Sequence, residues 1–179
     1  MAYLEQMGRS STLSGAWILD LTRSDTLEGY LRCLQIPEAA IQAQVAGERA
    51  YPSRNVIGLD ASSLTIYKGT AASNVTEDFE IDEEQIIETS TGAMKKTKAS
   101  LVDGDQLNGY VLVSQTLSSE GPNLVQVEVR QLDPGGLVHT QELNVHNLET
   151  KQDCIVRRAW VRVAVTPDDV RQLSPPASG

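Results

Sequence analysis

The chain has 179 residues, of which 40% are hydrophobic, and a formal net charge of −9. This length allows one domain with a sizeable core, and no apolar run approaches the roughly 20 residues that cross a bilayer as a helix. The acidic balance argues against nucleic acid as the main partner, because binding to phosphates requires a basic surface. We predict one domain over residues 13–165, between a loose leader over 1–12 and a loose tail over 166–179.

The expected compartment is the cytoplasm. The first ten residues lack the basic start and apolar stretch of a secretion signal. Without an export signal, Cys33 and Cys154 are expected to be reduced thiols. Neither His139 nor His146 stands at a metal-binding spacing from a cysteine, so no metal and no cofactor is expected.

A pair of short helices is predicted over about residues 25–47. Ser24 or Asp25 can cap the first helix, Pro37 separates the two, and Gly47 is expected to end the second. The first helix is indicated by hydrophobic residues at helical spacing, which are Leu27, Tyr30, Leu31 and Leu34.

Strands and turns dominate the rest of the chain. One strand is predicted before the helices, over residues 15–21, and nine follow residue 54. The nine cover residues 55–59, 63–68, 74–81, 85–89, 96–102, 110–115, 124–131, 138–145 and 154–165. Asp103-Gly104 and Asn108-Gly109 are rival hairpin turns. This order fits an antiparallel barrel whose open end is covered by the two helices.

The last strand carries two informative side chains. Because alternate residues of a strand share a face, Arg158 and Trp160 point the same way as Val156. If that face lines a closed barrel, an apolar pocket holds positive charge, which suits an apolar molecule with an acidic head. A second arginine, Arg130, lies two strands earlier. The alternation alone directs Arg130 and Glu128 toward water and a row of valines toward the core, namely Val125, Val127 and Val129.

Five short motifs also follow one another in an informative order. They are Gly-x-Trp at Gly15–Trp17, a helix at Leu27–Ile36, a hairpin at Lys95–Gly104, a strand and turn at Val129–Leu137, and Arg-x-Trp at Arg158–Trp160. No single motif is specific, since Gly-x-Trp also begins many lipocalins. In order and spacing, over most of the chain, the sequence resembles the intracellular lipid-binding proteins, the fatty-acid-binding and retinoid-binding branch of the calycin superfamily.

The resemblance implies an all-β fold, a ten-stranded antiparallel up-and-down β-barrel capped by a helix-turn-helix lid. It also implies that Arg130 and Arg158 turn inward and grip a ligand's carboxylate, with Trp160 in place of the family's tyrosine. An indole N–H donates one hydrogen bond and accepts none, so the pattern departs from the family there. Glu128 would then also face inward and could pair with Arg130. Such a pair would compete with the ligand and favour a neutral or differently headed molecule. The predicted ligand-binding set is Arg130, Arg158, Trp160, Glu128, Val156, Tyr30 and Leu31.

Other charged and aromatic positions have simpler interpretations. Trp17 is expected to plug the closed end of the barrel, and Arg162 to lie exposed at its rim. The acidic run over residues 77–84 is predicted to form an outward strand face and a turn. Three lysines are predicted to be solvated, with a weak membrane-contact patch as the alternative, and these are Lys95, Lys96 and Lys98.

The predicted function is that of a monomeric cytoplasmic carrier, not an enzyme, whose partner is a hydrophobic small molecule such as a fatty acid. One alternative is an enzyme that acts on a lipid or pigment in the same barrel, with candidate groups Glu128, His139, Tyr110 and Cys154. The other alternative is a filled, ligand-free barrel that serves as a protein-interaction module.

Overall fold

The computed structural model describes residues 12–89, 92–104, 106–117 and 121–173. Ten strands lie within these ranges: β1 Gly15–Asp20, β2 Arg54–Leu59, β3 Ser63–Gly69, β4 Asn74–Glu80, β5 Glu84–Glu88, β6 Met94–Leu101, β7 Gly109–Thr116, β8 Leu124–Leu132, β9 Val138–Asn147 and β10 Asp153–Val163. Three α-helices accompany them within the described residues: α1 Glu28–Cys33, α2 Glu38–Ala50 and α3 Pro167–Leu173; a short 3-10 helix, Leu21–Arg23, follows β1.

The strands form one antiparallel sheet in the order β4-β3-β2-β1-β10-β9-β8-β7-β6-β5. Pairing of β1 with β10 joins the two halves of the chain, and the sheet curls into a nearly closed barrel. Among the described residues, β4 and β5 share no hydrogen-bonded ladder, and an isolated bridge joins Ile81, just after β4, to Ala99 of β6. The predicted lidded up-and-down barrel is confirmed.

The interior face of β8 is the polar one. Arg130 is 1% exposed and Glu128 is 9% exposed, whereas the intervening valines are only partly buried. The prediction from alternation alone, with Arg130 facing water, was therefore wrong for this strand. Alternation shows which residues of a strand share a face. The more hydrophobic face can be identified as the inner one only when the interior is apolar.

The base of the barrel, opposite the lid, is closed by tightly packed side chains. Trp17 is fully buried there, and its Nε1 donates to the Leu13 carbonyl at 3.0 Å, as expected for a plug. Arg162 lies 4.2 Å from the centre of the Trp17 ring. Its guanidinium donates to the carbonyls of Thr12, Ser14 and Gly136, so the prediction of an exposed rim residue was wrong.

The lid helices begin and end later than predicted. Asp25 does not cap α1, because it bonds the backbone of Arg157 in β10. Gly47 does not end α2, which continues to Ala50. A Cβ at Gly47 would lie 3.3 Å from the Ala71 Cβ, so the glycine permits close approach of α2 to the β3–β4 turn. None of the described helices is long and apolar enough to cross a membrane.

The residues after β10 form the helix α3 instead of the loose tail that was predicted. Thr166 and Asp169 exchange hydrogen bonds at its start, in the manner of a capping box. The Asp169 carboxylate also accepts two bonds from Arg54, at 2.6 and 3.1 Å. The predicted loose leader, up to residue 11, and the last part of the predicted tail, from 174 onward, lie outside the described residues.

Candidate functional site

A cavity of about 580 Å³ lies under the lid, on the side of the barrel where β4 and β5 separate. Its apolar walls are formed by Leu34, Val75, Phe79, Ile87, Leu112 and Leu143. Its inward polar side chains are Tyr30, Lys68, Glu77, Lys95, Ser114, Gln126 and Glu128. The volume is within the range of about 300–1,000 Å³ that is usual for small-molecule sites.

A buried ion pair lies beneath this cavity, between the cavity and the base. Arg130 Nε donates to Glu128 Oε1 at 2.6 Å, and the Tyr110 hydroxyl donates to the same oxygen at 2.8 Å. Arg130 Nη1 lies 3.1 Å from His139 Nε2. The Asn55 amide oxygen, oriented to satisfy its bonds, accepts from both Arg130 Nη atoms at 2.8 and 2.9 Å. Every nitrogen of this guanidinium therefore has a fixed protein partner.

Burial and charge together set the protonation states of this cluster. Burial alone would raise the pKa of Glu128, but the adjacent Arg130 outweighs it and holds that pKa below the usual range. Burial, followed by the positive charges of Arg130 and Arg162, holds the pKa of His139 far below its usual value. His139 is therefore neutral, and its Nε2 accepts from Arg130. Burial also raises the pKa of Tyr110, which remains a hydrogen-bond donor.

The second arginine is paired with the lid. Arg158 Nη2 lies 2.6 Å from Glu48 Oε1 of α2, and both side chains are nearly buried. Glu48 Oε1 also accepts from Ser53 Oγ at 3.0 Å. Trp160 lies between the two arginines, with guanidinium carbons 5.0 Å (Arg130) and 5.9 Å (Arg158) from its ring centre. The interior therefore supplies a carboxylate to each arginine.

The structure separates the seven predicted ligand-binding residues into groups. Arg130, Arg158 and Trp160 do come together in the interior, and Val156 is buried on the same face of β10. None of these four borders the cavity, and the Trp160 N–H already donates to Gln141 Oε1 at 2.9 Å.

Of the remaining three predicted residues, two border the cavity and one does not. Glu128 and Tyr30 line the cavity. Leu31 does not, because it packs against Ile41 and Val45 inside the lid.

Several cavity residues were not found by sequence reasoning. Lys95 was predicted to be solvated, yet it borders the cavity and donates to Gln126 Oε1 at 3.0 Å. Glu77 was placed on an outward face, yet it pairs with Lys68 at 2.5 Å on the inner side. A signal was available for Glu77, since it lies two residues before Phe79, which is buried. No sequence signal indicated Glu48, because it comes from the lid.

This architecture of barrel, helical lid and lidded cavity is shared by solved structures of lipid-binding and fatty-acid-binding proteins. Lipid binding protein 8 of Caenorhabditis elegans, solved in its apo form, has a TM-score of 0.62 and 16% identity over 84% of this chain and 94% of that chain. The Schistosoma mansoni fatty acid binding protein, solved with arachidonic acid, has a TM-score of 0.58 and 18% identity over 87% and 98%.

A third structure, the REP1-NXSQ fatty acid transporter, has a TM-score of 0.59 and 20% identity over 86% of this chain and 98% of that chain. No family model matches the chain, and no curated protein does. At these identities the comparisons establish the fold.

Proposed function

We propose that this protein is a carrier that binds a hydrophobic small molecule with an acidic head, such as a fatty acid, inside the barrel. The observation that carries the proposal is the cavity of about 580 Å³ between the lid and the packed base. Apolar side chains from β4, β5, β7 and β9, and Leu34 just after α1, contribute to its walls. Three proteins of the same fold that are described as lipid or fatty acid binders or transporters add support.

The energetics favour a ligand with a long apolar part. Each CH₂ group that leaves water contributes about 0.8 kcal/mol, so an acyl chain supplies most of the binding free energy. A charge-assisted hydrogen bond contributes about 1.5–3 kcal/mol, so polar contacts orient the ligand and select its head group. Tyr30 and Glu128 are the predicted ligand contacts that border the cavity. We assign Arg130, Arg158 and Trp160 to the support beneath and beside it.

The carrier is favoured over both alternatives. An open volume under the lid is the opposite of what a filled interaction barrel would have. An enzyme would need a titrating group poised for proton transfer near the working pH. His139 instead lies against Arg130, and burial together with that positive charge lowers its pKa and keeps it neutral. The same arginine holds Glu128 as a carboxylate by lowering its pKa. The proposal includes a monomer in the cytoplasm, as the sequence suggested.

The test is titration of the delipidated full-length chain with a fluorescent fatty acid, after native mass spectrometry for any molecule that co-purifies. Ser114→Phe fills the cavity from β7 and is expected to weaken binding at least tenfold. Val113→Phe is the matched control, because Val113 is the residue directly before Ser114 in the same strand, faces the other way and is 42% exposed. Wild-type protein that binds neither a fatty acid nor its alcohol would refute the proposal.

A further inference from the structure

The cations of the barrel interior are not equally neutralised. Arg130 pairs with Glu128 and Arg158 with Glu48, each at 2.6 Å. Lys68 pairs with Glu77 at 2.5 Å. Lys95 is different: among the described residues its Nζ has one hydrogen-bond partner, the neutral Gln126 amide oxygen, and no carboxylate forms an ion pair with it.

A second donor lies beside this lysine. Gln126 Oε1 accepts from Lys95 Nζ at 3.0 Å, and Gln126 Nε2 donates to the Tyr30 hydroxyl oxygen at 3.1 Å. An ammonium has three donors, and a phenol that accepts through its oxygen keeps its own proton to donate. Lys95 and Tyr30 therefore lie on either side of the Gln126 amide, and each has a hydrogen-bond donor that is not used. Both side chains line the cavity at its lid end.

The electrostatic surroundings favour an anion at this point. Burial lowers the pKa of Lys95. The negative charge of Glu77 opposes this change, and the positive charge of Lys68 adds to it. The ammonium is thus poorly solvated, and Glu77 is already bound to Lys68. Burial, and then the charge of Glu128, raises the pKa of Tyr30, which stays a neutral donor. Two further acids at the cavity rim, Asp78 and Glu88, lie at exposed positions on the outer faces of β4 and β5.

We propose that Lys95 and Tyr30 form the head-group site for a monoanionic lipid, with the anion under the lid and the apolar tail directed toward Phe79, Leu112 and Ile87. This orientation leaves the two arginine ion pairs intact, because the head group never reaches them. The inference rests on the proposed function, since it assumes that the cavity holds the ligand. It identifies the selective element as a lysine on β6 and a tyrosine on α1.

The experiment compares oleic acid with oleyl alcohol, two ligands of equal chain length that differ in head-group charge. Delipidated wild-type protein and Lys95→Met are titrated with both by calorimetry or by displacement of a fluorescent probe. Loss of one charge-assisted contact is expected to weaken acid binding roughly 10- to 100-fold and to leave alcohol binding within about twofold. Lys95→Arg should retain most of the acid affinity, because it keeps the charge.

The matched control is Lys98→Met, on the same strand but at an exposed position on the opposite face. It should change neither affinity. Tyr30→Phe should weaken acid binding several-fold and spare the alcohol. Circular dichroism and the urea midpoint check that each variant is folded.

Three results separate the possible failures. If wild-type protein binds neither ligand, the proposed function itself fails. If wild-type and Lys95→Met bind oleic acid equally, the ligand-binding barrel stands and the head-group site is refuted. If Lys95→Met weakens acid and alcohol to the same degree, the lysine shapes the cavity without recognising charge, and the head-group site is again refuted.

Discussion

The Arg130 guanidinium is almost fully buried, and each of its nitrogens has a protein partner. Glu128 supplies its only carboxylate among the described residues within ion-pair distance. A buried pair of this kind is costly to desolvate, and removing one partner is more costly still because the other charge remains. The arginine is therefore stabilised as a structural element beneath the cavity, and its neutralisation explains why a ligand anion would bind elsewhere.

Glu128→Gln is expected to destabilise the fold by about 3–5 kcal/mol, because it leaves the buried Arg130 without a counter-charge. Urea unfolding monitored by tryptophan fluorescence measures this change. The control is Glu142→Gln, which removes an exposed pair with Arg157 and should cost less than about 1 kcal/mol. Equal effects of the two changes would contradict the assignment.

The pH dependence of this pair has a definite sign. The folded-state pKa of Glu128 lies below its unfolded value, so its stabilising contribution is complete above the unfolded pKa of about 4.3. That contribution is lost as the pH falls from there toward the depressed folded pKa. Glu128→Gln should therefore remove part of the acid-induced loss of stability that wild-type protein shows below about pH 4.3.

At the scale of elements, a buried carboxylate near the end of α2 ties that end of the lid to the barrel wall. Glu48 accepts from Ser53 and pairs with Arg158 in the middle of β10. The last turns of α2 also pass close to the β3–β4 turn at Gly47. Opening of the lid at this end requires the ion pair to separate, so in the proposed carrier this pair would control ligand exchange.

Glu48→Gln is expected to raise the rate of ligand release several-fold, because the lid loses its ionic contact with Arg158. Stopped-flow transfer of a fluorescent fatty acid from the protein to lipid vesicles measures this rate. Glu38→Gln serves as the comparison, since Glu38 is at the exposed start of α2 and bonds Arg32 within the lid. Identical release rates in the two variants would show that the Glu48–Arg158 pair does not control opening of the lid.

The helix α3 depends on one acidic residue at its start. Asp169→Asn is expected to abolish amide protection over residues 168–173, because it weakens both the cap with Thr166 and the pair with Arg54. Hydrogen exchange with mass spectrometry detects this loss. Asp168→Asn, at the neighbouring residue with a 76% exposed side chain, should leave protection in place.

The elements show where sequence reasoning succeeds and where it stops. Each of the ten strands was found within two residues at either end, because turn residues separate short runs of strand formers. The helix α3 was missed although Thr166, Pro167 and Asp169 match a capping box with proline at the first helical position. Composition suggested a loose tail there, and the local pattern was the better guide.

At the scale of the whole molecule, the resemblance to a family predicted the barrel, its lid and the inward arginines. It also led to the pairing of Glu128 with Arg130, which the structure shows. It did not predict that Glu48 of the lid pairs with Arg158, because that pairing depends on which side chains meet across the interior. It also missed Lys95, because the residues nearest to it on the same face are the small Thr97 and Ala99, which are a weak signal of an inner face. The fold was therefore predictable from order and spacing, whereas the chemistry of the cavity required the three-dimensional arrangement.

The gap between β4 and β5 has a consequence for behaviour in concentrated solution. Within the described residues, each of these strands ends the sheet, so its outer backbone edge is a template on which another extended chain could add. Acidic side chains cluster at this seam, on β4, on β5 and in the connection between them: Asp78, Glu80, Asp82, Glu83, Glu84 and Glu88. When two copies approach edge to edge, these carboxylates repel one another and oppose strand pairing between the copies. The excess negative charge of the chain therefore protects the exposed edges of β4 and β5 from fibre-like association.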